Sequence, residues 1–334
     1  MKYLLLCLSL LLASPLAQAQ NVEFKIATLA PDGSSWMTAM RAGAETITQR
    51  TDGRVSFRFY PGGIMGNDRS VLRRIRIGQL HGGAITGGGL SEVLPESQVY
   101  SLPFLFRDYA EVDAVRAQMD PVLNTALHDK GFVSFGISEG GFAYLLSNSP
   151  IRRMGDLSGH KIWIPEGDAL SRGAFEASGV SPVPLPLTDV LTGLQTGLID
   201  TVAGSPTGVI ALQWHTRTAY LTETPLMYLY GSMIIQRRAF ERLSPADQLV
   251  VKEVMEGIFR ELDRGIREDN QKAMAALQQQ GIQFVQSEIS DISQWRKLVE
   301  ENNDRLIASG LFDQGILQQL RQHLSAHREN HPAQ

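Results

Sequence analysis

The chain has 334 residues, 43% of them hydrophobic and 20% charged, with a formal net charge of −4 at pH 7. This composition is ordinary for a globular protein, and a length beyond about 300 residues favours two lobes over one hydrophobic core. The slight acidic excess argues against nucleic acid or an anionic membrane surface as a partner, because both attract strongly basic patches.

The first residues have the pattern of a secretory signal peptide. Lys2 precedes an apolar run over residues 3–12, and small residues at positions 17 and 19 form a cleavage site after Ala19. The run is too short to span the ~30 Å hydrocarbon core of a bilayer. We therefore expect residues 1–19 to be removed and the mature chain to be periplasmic, without direct membrane insertion.

Cysteine and histidine give little indication of a metal or cofactor site. Cys7 is the single cysteine and lies in the segment to be removed, so the mature chain has no disulfide and no thiol ligand. His323, His327 and His331 repeat every four residues on the last predicted helix and could bind a transition metal. No closed coordination sphere is evident around them, so a solvated helix is the favoured interpretation, with no metal and no cofactor.

The amino-terminal part alternates between strand and helix patterns. Residues 22–27 and 55–60 have the period-two alternation of strands, and a helix pattern follows each, the second opening at Asn67 or Asp68. This β-α-β-α-β order is typical of a mostly parallel sheet whose ligands bind beyond the carboxyl ends of the strands. Those ends are residues 28–33, 62–68 and 86–89.

A similar alternation resumes near Gly141 and predicts a second lobe. Strand patterns at residues 142–146 and 161–164 are followed by a helix pattern at 168–178. No low-complexity linker separates the two parts, so the chain is expected to cross between the lobes several times. The predicted division is 20–140 plus 231–270 for lobe I and 141–230 plus 271–334 for lobe II.

One predicted helix is longer than a single lobe. Ser244, Pro245 and Asp247 take the N-cap, N1 and N3 positions of a strong helix start. No proline interrupts the following stretch, which Gly281 ends, so at ~1.5 Å per residue the helix would measure roughly 50 Å and connect both lobes. The alternative is two shorter helices broken at Gly265.

Several segments spread along the mature chain match the pattern of one family. They are TDGRV at 51–55, FYPGGIMGND at 59–68, IGQL at 77–80, SLPFLF at 101–106, MGDLSGHKI at 154–162, GVSPVPL at 179–185 and LQTGLID at 194–200. Together they resemble the solute-binding proteins of TRAP transporters, the tripartite ATP-independent periplasmic systems, of the dicarboxylate-binding DctP type.

The resemblance implies a periplasmic-binding-protein-like fold. Two α/β lobes would enclose a ligand cleft and be joined by crossing hinge strands and the long helix. It also implies a receptor that captures a small molecule by lobe closure and delivers it to the integral membrane subunits of the transporter. No catalytic step belongs to this role, so an enzyme is not expected.

The resemblance further implies an arginine that clamps a ligand carboxylate, and here this chain departs from the pattern. The position that follows Gly-x-Lys-Ile is Trp163. Arginine offers a planar fork of donors to a carboxylate, whereas indole has one N–H and no charge. We therefore expect a neutral, apolar or aromatic ligand stacked on Trp163, although its ring could instead bind a cation.

A second interpretation keeps a carboxylate ligand. In that case Trp163 points into the lobe core, and Arg172 or Arg217 replaces the missing clamp. Calorimetry with simple dicarboxylates separates the two interpretations.

Other positions that align with the family's pocket are also less polar than usual. Thr86 stands where some members have an acidic residue, Ala143 near a second arginine of some members, and Gly204 or Ser205 near an asparagine. Asp68 is retained, although it could equally serve as a helix N-cap. The predicted ligand-binding residues are Trp163, Asp68, Thr86, Ala143, Leu187, Gly204, Ser205 and Tyr228, with Tyr230 as a further candidate.

Two other functions remain open from the sequence. Residues 136–140 match the nucleophile elbow G-x-S-x-G around Ser138, and Asp156 and His215 follow in the order of a hydrolase triad. An elbow requires a helix after the turn, but another strand pattern follows, which favours a hinge crossing. The other alternative is a sensory module that docks on a membrane receptor.

Overall fold

The computed structural model describes residues 21–310 and 313–331. The predicted signal peptide and its cleavage site lie outside the described residues. The strands are β1 (Val22–Thr28), β2 (Val55–Tyr60), β3 (Gly82–Thr86), β4 (Phe132–Ser147), β5 (Trp163–Pro165), β6 (Val183–Leu185), β7 (Thr201–Gly204), β8 (Tyr220–Thr222), β9 (Met227–Gln236) and β10 (Gln283–Val285).

Helices cover both faces of the sheet. The α-helices are α1 (Ser35–Arg50), α2 (Asp68–Arg76), α3 (Gly87–Leu90), α4 (Tyr109–Asp129), α5 (Ala169–Ala177), α6 (Val190–Thr196), α7 (Pro206–Ala211), α8 (Arg237–Phe240), α9 (Pro245–Gln279), α10 (Ile289–Ala308) and α11 (Gln314–Asn330). Short 3₁₀ helices lie at Pro95–Ser101, Met154–Leu157, Leu187–Asp189 and Trp214–Arg217.

The sheet runs through both lobes. Its strand order is β10-β8-β4-β9-β3-β1-β2, with β7 also paired to β4. Strand β1 is parallel to β2 and β3, whereas β9 is antiparallel to β3 and β4. Strands β5 and β6 form a parallel pair that adjoins β7 through a bridge between Ile162 and Thr201. The predicted two-lobed α/β architecture is confirmed.

Strand β4 is the principal crossing between the lobes. Its first part pairs with β9, and residues Tyr144–Ser147 pair with β7. The register with β9 shifts after Ser134 and after Glu139, and such irregularities bend and twist a strand. The predicted separate strands on either side of residues 140–141 are therefore wrong in this detail, because one bulged strand of 16 residues spans the crossing.

Helix α9 connects the two lobes without a break. It has 35 residues, which corresponds to about 52 Å at ~1.5 Å per residue. Met255 and Phe259 pack into a core with strand β1, whereas Leu277 belongs to the core around β7 and β8. The lobe-spanning helix is confirmed, and the alternative break at Gly265 does not occur.

The last helix packs against an element that is distant in sequence. Arg328 on α11 donates to Glu111 on α4 at 2.7 Å and 2.9 Å. The segment predicted for lobe II thus contacts the segment predicted for lobe I, while the lobe limits themselves stay a prediction. His331 lies beyond the end of α11 and stacks on His327 with ring centroids 4.5 Å apart.

The described residues contain neither a membrane-spanning helix nor a cluster of metal-ligating side chains. Within residues 21–310 and 313–331, no helix has both the length and the apolar character needed to cross a membrane. In the same part of the chain, no group of three or more histidine, cysteine, aspartate or glutamate residues is arranged to hold a metal ion.

Candidate functional site

A cavity of about 300 Å³ lies between the lobes. Drug-sized ligands typically occupy clefts of ~300–1,000 Å³, so the volume suits a small molecule. Its lining comes from the carboxyl ends of β1 and β3, the start of α2, the loop after β5, helix α5, the end of β7 and strand β9. Lining residues include Leu29, Asn67, Asp68, Arg69, Thr86, Gly89, Glu92, Trp163, Glu166, Asp168, Ser171, Phe175, Leu187, Gly204, Ser205, Trp214 and Tyr230.

Trp163 belongs both to the core of lobe II and to the cavity wall. Its side chain is largely buried, and its ring meets the ring of Trp214 edge to face at 5.2 Å. The indole N–H donates to the backbone carbonyl of Leu185 at 3.0 Å. Because this single donor is already used, Trp163 offers a ligand the apolar and π surface of its ring.

The arginines that could have replaced the clamp lie elsewhere. Arg172 projects from α5 with its guanidinium 3.7 Å from Glu176, and neither it nor Arg217 lines the cavity. Arg69 does line it, but its Nε and Nη2 both donate to Glu92, at 3.2 Å and 2.7 Å. This ion pair raises the pKa of Arg69 and engages Nε and Nη2 of its guanidinium.

Three hydroxyl donors in the lining are engaged within the protein. Thr86 donates to Asp68 at 2.5 Å, Tyr230 to the Ser97 carbonyl at 2.5 Å, and Ser171 to Asp168 at 2.6 Å. A ligand carboxylate would have to displace one of these bonds to obtain a donor from these three residues.

Asp68 differs from its neighbours because one of its oxygens is unpaired. Oδ2 accepts the bond from Thr86, whereas Oδ1 is shielded from solvent and has no hydrogen-bond partner among the described residues. Burial raises the pKa of Asp68 to about 6, although hydrogen bonding from the side chain and the backbone of Thr86 opposes this effect. The N-cap of α2 is Asn67, whose Oδ1 accepts from the Ser70 backbone N–H, so capping does not account for Asp68.

The glycines after β3 make room for this carboxyl group. A Cβ at Gly89 would lie 2.4 Å from Oδ2 of Asp68, closer than real contacts allow. At Gly88 the nearest atom would be 3.9 Å away. The close approach of Gly89 to Asp68 thus requires the absence of a side chain.

A second aspartate of the lining has a structural role. Asp168 is the N-cap of α5, where Oδ1 accepts from the backbone N–H of Ser171 at 3.0 Å and Oδ2 accepts from its hydroxyl. Burial raises the pKa of Asp168, and the bonds from Ser171 oppose that rise. Both of its oxygens are therefore satisfied, in contrast to those of Asp68.

Two predicted ligand-binding residues do not line the cavity. Ala143 is fully buried in β4 opposite Met227. Tyr228 is buried between Phe106 and Phe142, and its hydroxyl donates to Glu139 at 3.1 Å. The structure instead brings to the cavity Asp68, Thr86, Trp163, Leu187, Gly204, Ser205 and Tyr230.

Several lining residues were not found from the sequence. Arg69, Glu92, Glu166, Phe175 and Trp214 line the cavity and were not among the candidates. Glu166 follows the carboxyl end of β5, so the rule that ligands lie beyond strand ends could have found it. Trp214 lies in a 3₁₀ helix whose position no sequence period reveals.

Contacts between the lobes lie at the mouth of the cavity. Asn67 Nδ2 at the start of α2 donates to Glu166 Oε2 after β5 at 3.4 Å. The guanidinium of Arg69 lies near Gly167, where a Cβ would be 3.3 Å from Nη2. The lobes therefore touch at this edge of the cavity.

The elbow pattern around Ser138 does not form a nucleophile elbow. Ser138 lies within β4 opposite Gly231, and no helix follows it directly. It lines a neighbouring cavity of about 640 Å³, whereas neither Asp156 nor His215 lines that cavity. Asp156 instead accepts from the backbone N–H of Arg152 at 2.9 Å. The hydrolase alternative is therefore wrong.

Comparisons with known proteins agree with this architecture. The model of the family described as bacterial extracellular solute-binding protein, family 7, matches residues 26–309. The chain is 25% identical over 272 residues to the 2,3-diketo-L-gulonate-binding periplasmic protein of Escherichia coli, which covers 80% of this chain and 81% of that protein. It is 24% identical over 307 residues to the C4-dicarboxylate-binding periplasmic protein of Rhodobacter capsulatus, covering 90% of each.

A solved structure has the same fold. The sugar acid binding protein from Advenella mimigardefordensis in complex with galactonate superposes with a TM-score of 0.85 at 18% identity. The match covers 92% of this chain and 99% of that chain. The resemblance noted in the sequence is thus confirmed at the level of family and fold.

Proposed function

The chain belongs to bacterial extracellular solute-binding protein family 7, and from this premise we propose that it is the periplasmic receptor of a TRAP transporter for a neutral or largely apolar, aromatic small molecule. Lobe closure around the ligand creates the shape that the integral membrane subunits recognise. Members of this family bind substrates for transport and are not enzymes. The export signal at residues 1–19, with cleavage after Ala19, belongs to the same proposal.

The observation that carries the ligand proposal is the state of the donors in the cavity. Trp163 stands where the resemblance implies a carboxylate-clamping arginine, and its N–H is bonded to Leu185. The guanidinium of Arg69 is held by Glu92. A charge-assisted bond to a carboxylate contributes ~1.5–3 kcal/mol. Trp163 supplies none, and the pair with Glu92 neutralises the charge of Arg69 and engages its Nε and Nη2.

Aromatic side chains supply the contacts that such a ligand needs. Trp163, Phe175, Trp214 and Tyr230 all line the cavity. Aromatic rings bury large areas and favour offset or edge-to-face contacts with another ring, worth ~0.5–1.5 kcal/mol beyond the area buried. The relatives named above are described as binding a sugar acid or dicarboxylates, so this receptor would differ from them in ligand class.

Calorimetry on the purified mature protein tests the ligand proposal. We expect succinate and malate to give no measurable heat, whereas indole derivatives without a carboxylate bind. Tight succinate binding that is lost in Arg69→Gln or Arg172→Ala contradicts the proposal, because an arginine would then hold a carboxylate after all.

Uptake measurements test the transport role. Deleting the receptor or the neighbouring membrane subunits is expected to abolish uptake of the bound ligand to the same extent. If uptake persists without the membrane subunits while the receptor still binds, a sensory role replaces the transport role. Mass spectrometry of the secreted chain, expected to begin at Gln20, checks the cleavage site.

A further inference from the structure

We propose that the ligand carries a basic nitrogen whose positive charge pairs with the Asp68 carboxylate, so that the solute is an aromatic amine. This inference rests on the proposed function and names the polar group of a ligand whose body is apolar. It assigns Asp68 as the residue that selects this class of solute.

The unpaired oxygen of Asp68 is the first observation. Oδ1 is shielded from solvent and makes no hydrogen bond among the described residues, although Asp68 lines the cavity. Leaving a buried acceptor unsatisfied costs ~1–3 kcal/mol, and more for a charged group. A cationic group in the cavity beside this carboxylate offsets part of this cost, whereas an apolar group does not.

The orientation of this carboxyl group is fixed by its surroundings. Thr86 donates to Oδ2 at 2.5 Å and itself accepts from the Gly89 backbone N–H at 3.2 Å. Gly89 packs so closely on Asp68 that even a Cβ would overlap with it. Oδ2 is thus held by the protein, and the carboxylate is fixed at the cavity wall, where a cationic group of the ligand would meet it.

Charge is the second observation, and it favours a cation. Acidic side chains outnumber basic ones in the lining, where Asp68, Glu92, Glu166 and Asp168 face a single Arg69. Since Glu92 neutralises Arg69, the remaining field is negative. A cleft of one sign with low-dielectric walls concentrates ligands of the opposite sign, so an ammonium group is attracted and a carboxylate is repelled.

The aromatic lining is the third observation and is independent of the charges. Trp163 uses its N–H within the protein and leaves its ring to the cavity. Tryptophan has the most favourable ring for binding a cation, worth ~0.5–2 kcal/mol within about 6 Å of the centroid. The same rings that hold an aromatic body therefore also favour a nearby ammonium group.

Three indole probes differ only in the group that would meet Asp68. Tryptamine carries an ammonium group, tryptophol a hydroxyl and indole-3-acetate a carboxylate. Thermal shift and calorimetry on the full mature protein at pH 8 are expected to show tryptamine binding at least about tenfold more tightly than tryptophol, as a charge-assisted bond predicts. Indole-3-acetate is expected not to bind.

Two aspartate variants separate direct contact from general charge. Asp68→Asn is expected to weaken tryptamine binding by about tenfold or more and to leave tryptophol binding within about threefold. Asp168→Asn removes the same charge from the same cavity but keeps the helix cap, because asparagine caps as well as aspartate. It should therefore weaken tryptamine binding by less than the Asp68 variant does.

Each contrary result has a distinct meaning. Any of three results would overturn this inference and leave the receptor role unaffected. Tryptamine and tryptophol could bind equally well, or the two aspartate variants could lose tryptamine affinity equally. The third is that tryptamine, tyramine and phenethylamine give no stabilisation up to their solubility limits. Preferential binding of indole-3-acetate or succinate overturns both this inference and the apolar ligand of the proposed function.

Discussion

Charged side chains are paired at the hinge, where α4 and α9 pack on strand β4, whereas one carboxyl oxygen in the cleft is unpaired. At the hinge, Arg267 donates to Glu139 at 3.0 Å and 2.8 Å and to Asp113 at 3.0 Å and 2.6 Å. Arg116 adds ion pairs to Asp263 at 2.8 Å and to Asp120 at 2.9 Å. In the cleft, by contrast, Oδ1 of Asp68 has no partner among the described residues.

The difference separates structural from functional charge. The hinge network ties α4 and α9 to strand β4, and each carboxylate there faces a guanidinium, as buried charges generally require. The cleft retains an unpaired acceptor, whose cost the proposed cationic ligand would offset. Variants at both places test this difference.

The largest effect is expected from breaking the hinge network. Arg267→Met leaves the buried Glu139 with the neutral Tyr228 hydroxyl at 3.1 Å and, as its nearest cation, the more distant guanidinium of Arg116, 3.7 Å away. Removing one partner of a buried pair costs ~3–5 kcal/mol, so we expect the free energy of unfolding to fall by about 3 kcal/mol. Urea unfolding measures this change.

A surface pair provides the control for that variant. Lys272 on the same helix pairs with Glu268 at 2.7 Å, and both side chains are exposed. Lys272→Met is expected to cost less than about 0.5 kcal/mol, because exposed i,i+4 pairs contribute little. A similar loss of unfolding free energy in the two variants would show that the hinge network contributes no more to stability than an exposed ion pair.

A matched pair of glycine variants tests the packing around Asp68. Gly89→Ala places a Cβ against the carboxyl group and is expected to destabilise the fold by about 1–3 kcal/mol and to weaken ligand binding. Gly88→Ala meets no atom closer than 3.9 Å and should be neutral or slightly stabilising. Melting temperatures and tryptamine affinities check both, and equal effects would contradict the tight packing described above.

Asp68→Asn should stabilise the ligand-free protein. Burial raises the pKa of Asp68 to about 6, so the folded chain holds a proton that the unfolded chain releases near pH 4. The contribution of this group to stability is therefore greatest at low pH and is lost as pH rises to about 6. Since the cavity leaves part of the side chain reachable by water, we expect a gain of about 1–2 kcal/mol for the variant at pH 8.

Stability measured against pH checks the sign of that effect. The difference between Asp68→Asn and wild type should grow between pH 4 and pH 7 and then level off. The nearby charges of Arg69, Glu92, Glu166 and Asp168 are identical in the two proteins, so they largely cancel in the comparison. A variant that is less stable than wild type at pH 8 would contradict the unpaired state of Asp68.

The smallest effect is expected at the cleft mouth. Asn67→Asp keeps the N-cap of α2, because aspartate caps as well as asparagine, but places a carboxylate opposite Glu166. Repulsion between exposed like charges costs ~0.2–1 kcal/mol, so we expect binding to weaken by about threefold. Adding Glu166→Gln should restore the affinity, and no recovery would mean that the mouth contact does not contribute to closure.

Much of the architecture could be predicted from local signals. Period-two strands, Ser244 with Pro245 at a helix start, and the absence of proline up to Gly281 specify β1, β2 and α9 almost residue by residue. Local periodicity did not reveal the continuous strand β4, because its glycines resemble a loop. Their actual role is to bulge a strand that the neighbouring β9 holds in place.

The cleft was predictable where it depends on strand ends and not where it depends on packing. Asp68 and Thr86 follow or end strands and line the cavity, whereas Trp163 begins β5 and was found through the family resemblance. Tyr228 and Tyr230 lie two residues apart on one strand. Phe106 and Phe142 pack around Tyr228, and Tyr230 is the one that lines the cavity. The unpaired Oδ1 of Asp68 is likewise a property of the assembled lobes.

The central claim is that this cleft recognises an aromatic amine through Asp68 instead of clamping a carboxylate with arginine. The most direct test is the ratio of the affinities of the wild-type protein for tryptamine and indole-3-acetate, measured by calorimetry at pH 8. The account predicts that tryptamine binds at least about tenfold more tightly. A preference for indole-3-acetate would contradict it.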